Sequence, residues 1–225
     1  MSHFLQEERD GVLLLSINRA PINALTTELL DEGSLFLCGL LSRPPAGGLV
    51  LTGAGKAFTA GVDTKVAAGL DRSGRRGLLN AVNNFAAALY RLPCAVVSAV
   101  NGHAIGAGGI ICLASDWTLI ADSPSLKIGL PEAAAGLPFP EVPTIIMEHG
   151  LDPVWRRRLA LSSLLLTPAD SIEAGLADEL VAPEMLIQRA VDCARKLESQ
   201  PAFRIVKADQ RARGLAEIAS FLDSP

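Results

Sequence analysis

The chain has 225 residues, is 49% hydrophobic and carries a net charge of −4, enough apolar material for one generous core and no basic excess that would suit a nucleic-acid binder. No apolar run reaches the length of a membrane span, and the polar, acidic opening MSHFLQEERDG has the wrong character for a signal or transit peptide. Its four cysteines, Cys38, Cys94, Cys112 and Cys193, form no C-x-x-C pair, and because three of them sit in apolar runs they read as buried reduced thiols rather than a disulfide framework, as expected of a soluble cytoplasmic protein.

In chain order, VLLLSIN (Val12 to Asn18) reads as a buried strand between Gly11 and the turn residues Asn18 to Pro21. LTTELLDEGSLFLCGLL carries helical apolar spacing and starts near Thr26, a residue suited to cap it; RPPAGG stops it. LVLTG is a second short strand, ended by the glycines of GAGKAFTAGVD. The polar stretch from Thr64 to Gly77 reads as a mobile loop or a short helix. LLNAVNNFAAALYRL is an amphipathic helix stopped before Pro93, AVVSAV a third strand, and WTLIA a fourth, after a helix that starts within NGHAIGAGG. Alternating strands and helices predict an α/β core over residues 1–165. From Asp152 onward the pattern is almost wholly helical, which sets apart a helical C-terminal region over residues 166–225.

Four glycines fall between Gly102 and Gly109, and each costs conformational entropy, so the backbone itself must be needed there. A dinucleotide-binding G-x-G-x-x-G fails, because Gly106 and Gly108 are followed by Ile111 where the third glycine belongs. GAGK at Gly53 to Lys56 fails as a phosphate loop on spacing and on Ala57, which stands where a Ser or Thr would bind magnesium. There is no G-x-S-x-G elbow, and His3, His103 and His149 form no zinc-binding arrangement. His103 reads as a packed or surface histidine, with ligand contact the alternative; Trp155 to Arg158 reads as a solvated or intersubunit face, with contact to a ligand phosphate the alternative. Two backbone-rich segments remain, Gly55 to Asp63 and NGHAIGAGG. Converging N–H groups at a strand end and a helix N-terminus would bind an anion or an oxyanion; tight helix-on-strand packing is the competing explanation.

These two segments, in this order and separation, resemble the crotonase superfamily, the enoyl-CoA hydratase/isomerase group. INRAPINAL, LTGAGKAFTAGVD, LPCAVVSAVNGHAIGAGGIICLASDWTLIADSPSLKIGLPEAAAGL, TPADSIEAGLADELV and PAFRIVKA carry the resemblance over nearly the whole chain. It implies a spiral of ββα turns with a C-terminal helical region that builds trimers, often paired into hexamers. It implies an acyl-CoA thioester substrate, with no metal, no separate cofactor, and no nucleic-acid or membrane partner. By resemblance the oxyanion donors are the Val62 and Ala107 N–H groups. CoA contacts fall on Lys56, Ala57, Ala60, Asp63 and Lys65.

Hydratases of the family use two glutamates. The place of the first, in G-G-G-x-E, is held here by Ile110; the second falls on Glu132 in GLPEAAAGL. A single acid resembles the Δ3,Δ2-enoyl-CoA isomerases, in which one glutamate removes a proton at C2 and returns it at C4. Glu141 in GLPFPEVP is a second candidate base, in a Pro-Glu context similar to that of peroxisomal-type isomerases. Leu130, Leu137 and Phe139 are expected to supply an apolar surrounding that raises the pKa of either acid. The chain closes on ASFLDSP where the family continues into a further helix, which implies a more open acyl pocket or one closed by a neighbouring subunit. A hydratase-like or other thioester reaction, and an acyl-CoA-binding pseudoenzyme or partner subunit, stand as alternatives.

Overall fold

The computed structural model describes residues 3–223; the first two residues of the acidic opening and the last two of ASFLDSP lie outside the described residues. Asp10 and Gly11 take positive φ values of 53° and 80°, as a two-residue hairpin turn requires, and fold β1 (Phe4–Arg9) back antiparallel on β2 (Val12–Ile17). Strand β1 has no apolar alternation to reveal it, because it is an edge strand in which only Phe4 is buried. The expected helix is α1 (Thr27–Ser42), with Thr26 Oγ1 accepting the Leu29 N–H. Strand β3 (Leu49–Gly53) follows.

The stretch expected as loop or short helix is mostly helical. Asp63 caps α2 (Thr64–Gly69) and Asp71 caps α3 (Arg72–Tyr90). Asp71 Oδ1 accepts the Gly74 N–H at 2.7 Å, so a polar first turn forms well before the apolar face begins. Then come β4 (Val96–Val100), β5 (Ala104–Ile105), α4 (Ala107–Ala114), β6 (Trp117–Ala121), β7 (Ile128–Gly129), α5 (Glu132–Ala135), α6 (Glu141–Gly150) and α7 (Pro153–Ser162). Beyond α7 the chain is not wholly helical. Strands β8 (Leu165–Leu166) and β9 (Glu179–Val181) flank α8 (Pro168–Glu173), ahead of α9 (Leu186–Glu198) and α10 (Phe203–Leu222). Strands of two and three residues are too short to carry a period.

The main sheet runs β1-β2-β3-β4-β6-β9, with β1 and β2 antiparallel and the other neighbours parallel. Leu51 lies opposite Leu15 on one side and Ser98 on the other. Strands β3 and β4 are buried along their whole length, as parallel strands covered on both faces must be. Helix α9 lies across β2, β3, β4 and β6, and β9 closes the edge beside β6. The core therefore draws on residues beyond 165. A second sheet, β5-β7-β8, pairs β5 with β7 in parallel and β7 with β8 antiparallel. Helices α1 and α3 pack together at Gly33, where a β-carbon would collide with Phe4 and Phe85, whose rings stack at 6.4 Å. Cys94, Cys112 and Cys193 are buried free thiols, and Cys38 is exposed.

Helix α10 is fastened by charge. Asp116, at the end of α4, accepts Lys207 Nζ at 2.6 Å, Arg211 Nη2 at 2.7 Å and the Val96 N–H at 2.8 Å. Lys207 also donates to the Cys94 carbonyl and Arg211 to the Tyr90 carbonyl, each at 2.7 Å. Lys207 and Arg211 are only 7% and 9% exposed, so both depend on the one carboxylate. Asp116→Ala strands two buried cations and is expected to lower stability in urea unfolding by about 3–5 kcal/mol.

Candidate active site

Two loops leave the carboxyl ends of the adjacent parallel strands β3 and β4, the edge where open α/β sheets present ligands. Asn101, just past β4, holds the first loop: its Nδ2 donates to the carbonyls of Gly53 and Gly55 at 2.8 and 3.1 Å, and its Oδ1 accepts the Gly53 N–H at 3.2 Å. Asn23, wholly buried, holds it from the other side by donating to the carbonyls of Ala54 and Ala57 at 3.0 and 2.7 Å. Thr59 hydroxyl in turn donates to the Asn23 carbonyl at 2.6 Å. Asn23 and Asn101 stand in INRAPINAL and SAVNGH, where the sequence does not mark them as positioning residues. The only sequence signal is an asparagine between apolar runs, which is also an ordinary turn residue.

Seven backbone donors of the two segments are taken up by one another and by their neighbours. The N–H of Thr59 donates to the His103 carbonyl, that of Ala60 to Ile22, that of Gly61 to Thr59 Oγ1 and that of Asp63 to Leu25. On the other segment the N–H groups of Ala104, Ile105 and Gly106 donate to Lys127, Thr59 and Gly129. Among the described residues no acceptor takes the N–H of Val62 or of Ala107, the first residue of α4. Buried backbone donors are seldom left over, and both residues line the same cavity. A β-carbon on Gly61 would lie 3.5 Å from Ala107 N, so the two segments touch. Gly106 takes φ 58° and ψ −117°, open to glycine alone, and turns the chain into α4. The other glycines pack: Gly108 meets Thr59, and Gly109 meets Leu130.

The cavity holds about 100 Å³. Its wall includes Leu78 and Val82 of α3, Ile110 of α4, and Leu137, Phe139 and Pro143. Glu132 is the single titratable side chain on that wall. It opens the one-turn helix α5, held by Leu137 N–H donating to the Glu132 carbonyl and Ser163 Oγ accepting from Ala134, both at 3.0 Å. A β-carbon on Gly106 would stand 3.1 Å from Glu132 Oε1. Glu132 Oε2 is buried without a hydrogen-bond partner. Burial among apolar side chains pushes the Glu132 carboxyl up to about 7, opposed only by its own backbone N–H.

Of the other expected residues, Ala60 lines the cavity, and Ala57 is buried beneath the loop. Lys56 and Lys65 are exposed. Asp63 is occupied as the α2 cap and pairs with Arg19 at 3.0 Å, and the Val66 N–H that it accepts lowers its pKa. Leu130 is buried but does not reach the cavity, whereas Leu137 and Phe139 do. Glu141 is not brought to the cavity. It is exposed at the start of α6, in a separate groove with Glu148 and Glu217. His103 is exposed, its Nδ1 accepting the Lys127 N–H at 3.0 Å. Arg158 of the WRRR run lies 5.0 Å over the Trp155 ring. Among the described residues no group of His, Cys, Asp and Glu is placed to hold a metal ion, and no helix is long and apolar enough to cross a membrane.

A sequence model of the enoyl-CoA hydratase/isomerase family matches residues 7–216. The mitochondrial enoyl-CoA delta isomerase 1 of Homo sapiens is 26% identical over 217 residues, spanning 95% of this chain and 72% of that protein. The probable enoyl-CoA hydratase EchA17 of Mycobacterium bovis is 25% identical over 209 residues, spanning 93% and 79%. In structure, the human mitochondrial Δ3-Δ2-enoyl-CoA isomerase aligns with a TM-score of 0.90 at 26% identity, over 98% of this chain and 88% of that one.

Burial of Glu132 has a consequence that requires no substrate. The folded state holds the proton up to about pH 7, while the unfolded chain releases it near 4.5. The native state therefore binds more protons between these values. This contribution to stability is fully present below pH 4.5 and is lost as pH rises through 7. Its full size is roughly 3 kcal/mol. Glu132→Gln is expected to remove this slope and to be more stable than the unsubstituted protein at pH 8, as read from urea unfolding at pH 5 and pH 8.

Proposed function

Since the chain belongs to the enoyl-CoA hydratase/isomerase family, within the crotonase superfamily, we propose that it moves the double bond of a 3-enoyl-CoA thioester into conjugation, with Glu132 as its single base. The observation that carries this reading is the cavity wall: one carboxyl, Glu132, and no other titratable side chain, with the apolar Ile110 on the same wall. Ile110 holds the position at which the sequence resemblance puts the other acid of a hydratase.

The chemistry follows from the arrangement. The thioester oxygen accepts the N–H groups of Val62 and Ala107, which have no other acceptor among the described residues. Each such donor stabilises the developing enolate by about 2.7–4 kcal/mol. Glu132 takes the proton from C2, the C–H electron pair forms the C2–C3 double bond, and the former C3–C4 pair spreads charge to C4. The same carboxylic acid then returns its proton to C4. Nothing is gained or lost, so one base suffices. Activating a water would need a further acid or base, which this wall lacks. A carboxyl near 7 is also well matched to taking and returning a proton near neutral pH. Coenzyme A enters as part of the substrate, with its nucleotide end along Lys56, Ala57 and Ala60 and near Lys65, and no separate cofactor takes part. Assembly into a trimer or hexamer belongs to the same reading. It is supported by the exposure of Leu161 (76%) and Ile205 (67%), and light scattering is expected to give a mass of three or six chains.

Incubation with a 3-enoyl-CoA is expected to give the 2-enoyl-CoA without change of mass, by mass spectrometry and proton NMR. Glu132→Gln should slow this by about 10²–10⁴-fold. The unsubstituted enzyme's kcat/KM should climb tenfold per pH unit below about 7 and level off above it. Gain of one water by a 2-enoyl-CoA would replace this reading with hydration, and binding without turnover of either substrate would make the protein an acyl-CoA binder.

A further inference from the structure

A second, smaller void lies in the core beside the first. It holds about 10 Å³ and shares Val82, Ala107 and Ile110 with the larger cavity. Beyond them it is bounded by Leu30, Phe85 and Ala114, and every side chain on its wall is apolar. A void of that character and size stays dry. Ile110 and Val82, 2% and 6% exposed, are the two large side chains common to both walls.

Ala107 N–H and Glu132, at the reacting end, are polar. The apolar wall that faces an acyl chain whose thioester sits there includes Leu78, Val82 and Ile110 beside Leu137 and Phe139, and Ile110 is the one of these from the helix that carries Ala107. We infer that Ile110 is a specificity-determining residue: its side chain floors the acyl pocket and sets the longest chain accepted, with a latent extension sealed behind it. This inference rests on the acyl-CoA reading above and adds to it a role for Ile110 besides the absence of an acid. Truncating Ile110 to Ala removes three carbons and merges the two spaces, which makes room for two or more further carbons of substrate.

Binding of saturated straight-chain acyl-CoA thioesters, from butyryl to dodecanoyl, reads this without turnover. In the unsubstituted protein affinity should rise about fourfold per methylene until the chain meets Ile110, then stop rising. In Ile110→Ala the rise should continue for at least two more carbons, a gain of about tenfold or more for the longer chains. Ile110→Val, which removes a single carbon and serves if the alanine variant does not fold, should move the break by one carbon. The kcat/KM series for the matching 3-enoyl-CoA substrates should shift in parallel. An unchanged break in variants that still bind the shorter thioesters overturns the role of Ile110 and leaves the proposed function standing. Failure of the unsubstituted protein to bind any acyl-CoA overturns the functional reading and this inference with it.

Discussion

Glu132 keeps Oε2 buried without a partner in a wall of leucine, proline and phenylalanine, and a carboxyl so placed resists ionisation. The surrounding fold has to hold it there against that cost. Helix α5 is a single turn and could not do so alone. Its grip comes from neighbours: Ser163 accepts from Ala134, and Gly106 presses close to the carboxyl with no β-carbon between them. A carboxyl held in a cavity where its charge is penalised marks a candidate for chemistry.

The same economy governs the backbone. Asn23, Asn101 and Thr59 use their side chains to take up loose donors and acceptors of the first loop, and the carbonyls of Lys127, Thr59 and Gly129 take up donors of the second. Val62 and Ala107, whose N–H groups have no acceptor among the described residues, lie on one cavity wall. Two preoriented donors cost nothing to reorganise when charge develops between them, and this is where backbone exceeds any flexible side chain. Gly61 and Gly106 allow the approach, one by contact with Ile105 and Ala107, the other by its φ of 58°.

Farther out, the Asp116, Lys207 and Arg211 network fixes α10 to the end of α4 and the start of β4. Helix α4 carries Ala107 at its first residue and Ile110 one turn later. One short helix therefore carries the proposed oxyanion donor, the proposed floor of the pocket and, through Asp116 just beyond it, the anchor of the C-terminal helix.

Sequence patterns determined the α/β class, the buried central strands and the α1, α3 and α4 helices, because long apolar periods and capping residues are local properties. Motif resemblance extended this to the family and to Val62, Ala107 and Glu132 as candidates. Short strands were not legible: β8 and β9 contain two and three residues, and β1 buries only Phe4. The separation of Glu132 from Glu141 was also decided only by tertiary structure. Both follow a proline at the start of a helix, so their local sequence is alike. The difference is which face of the protein the chain turns them to, one into an apolar cavity and the other into water. Desolvation depends on neighbours distant in sequence, here Val82, Ile110 and Phe139 around Glu132, and no local pattern records that.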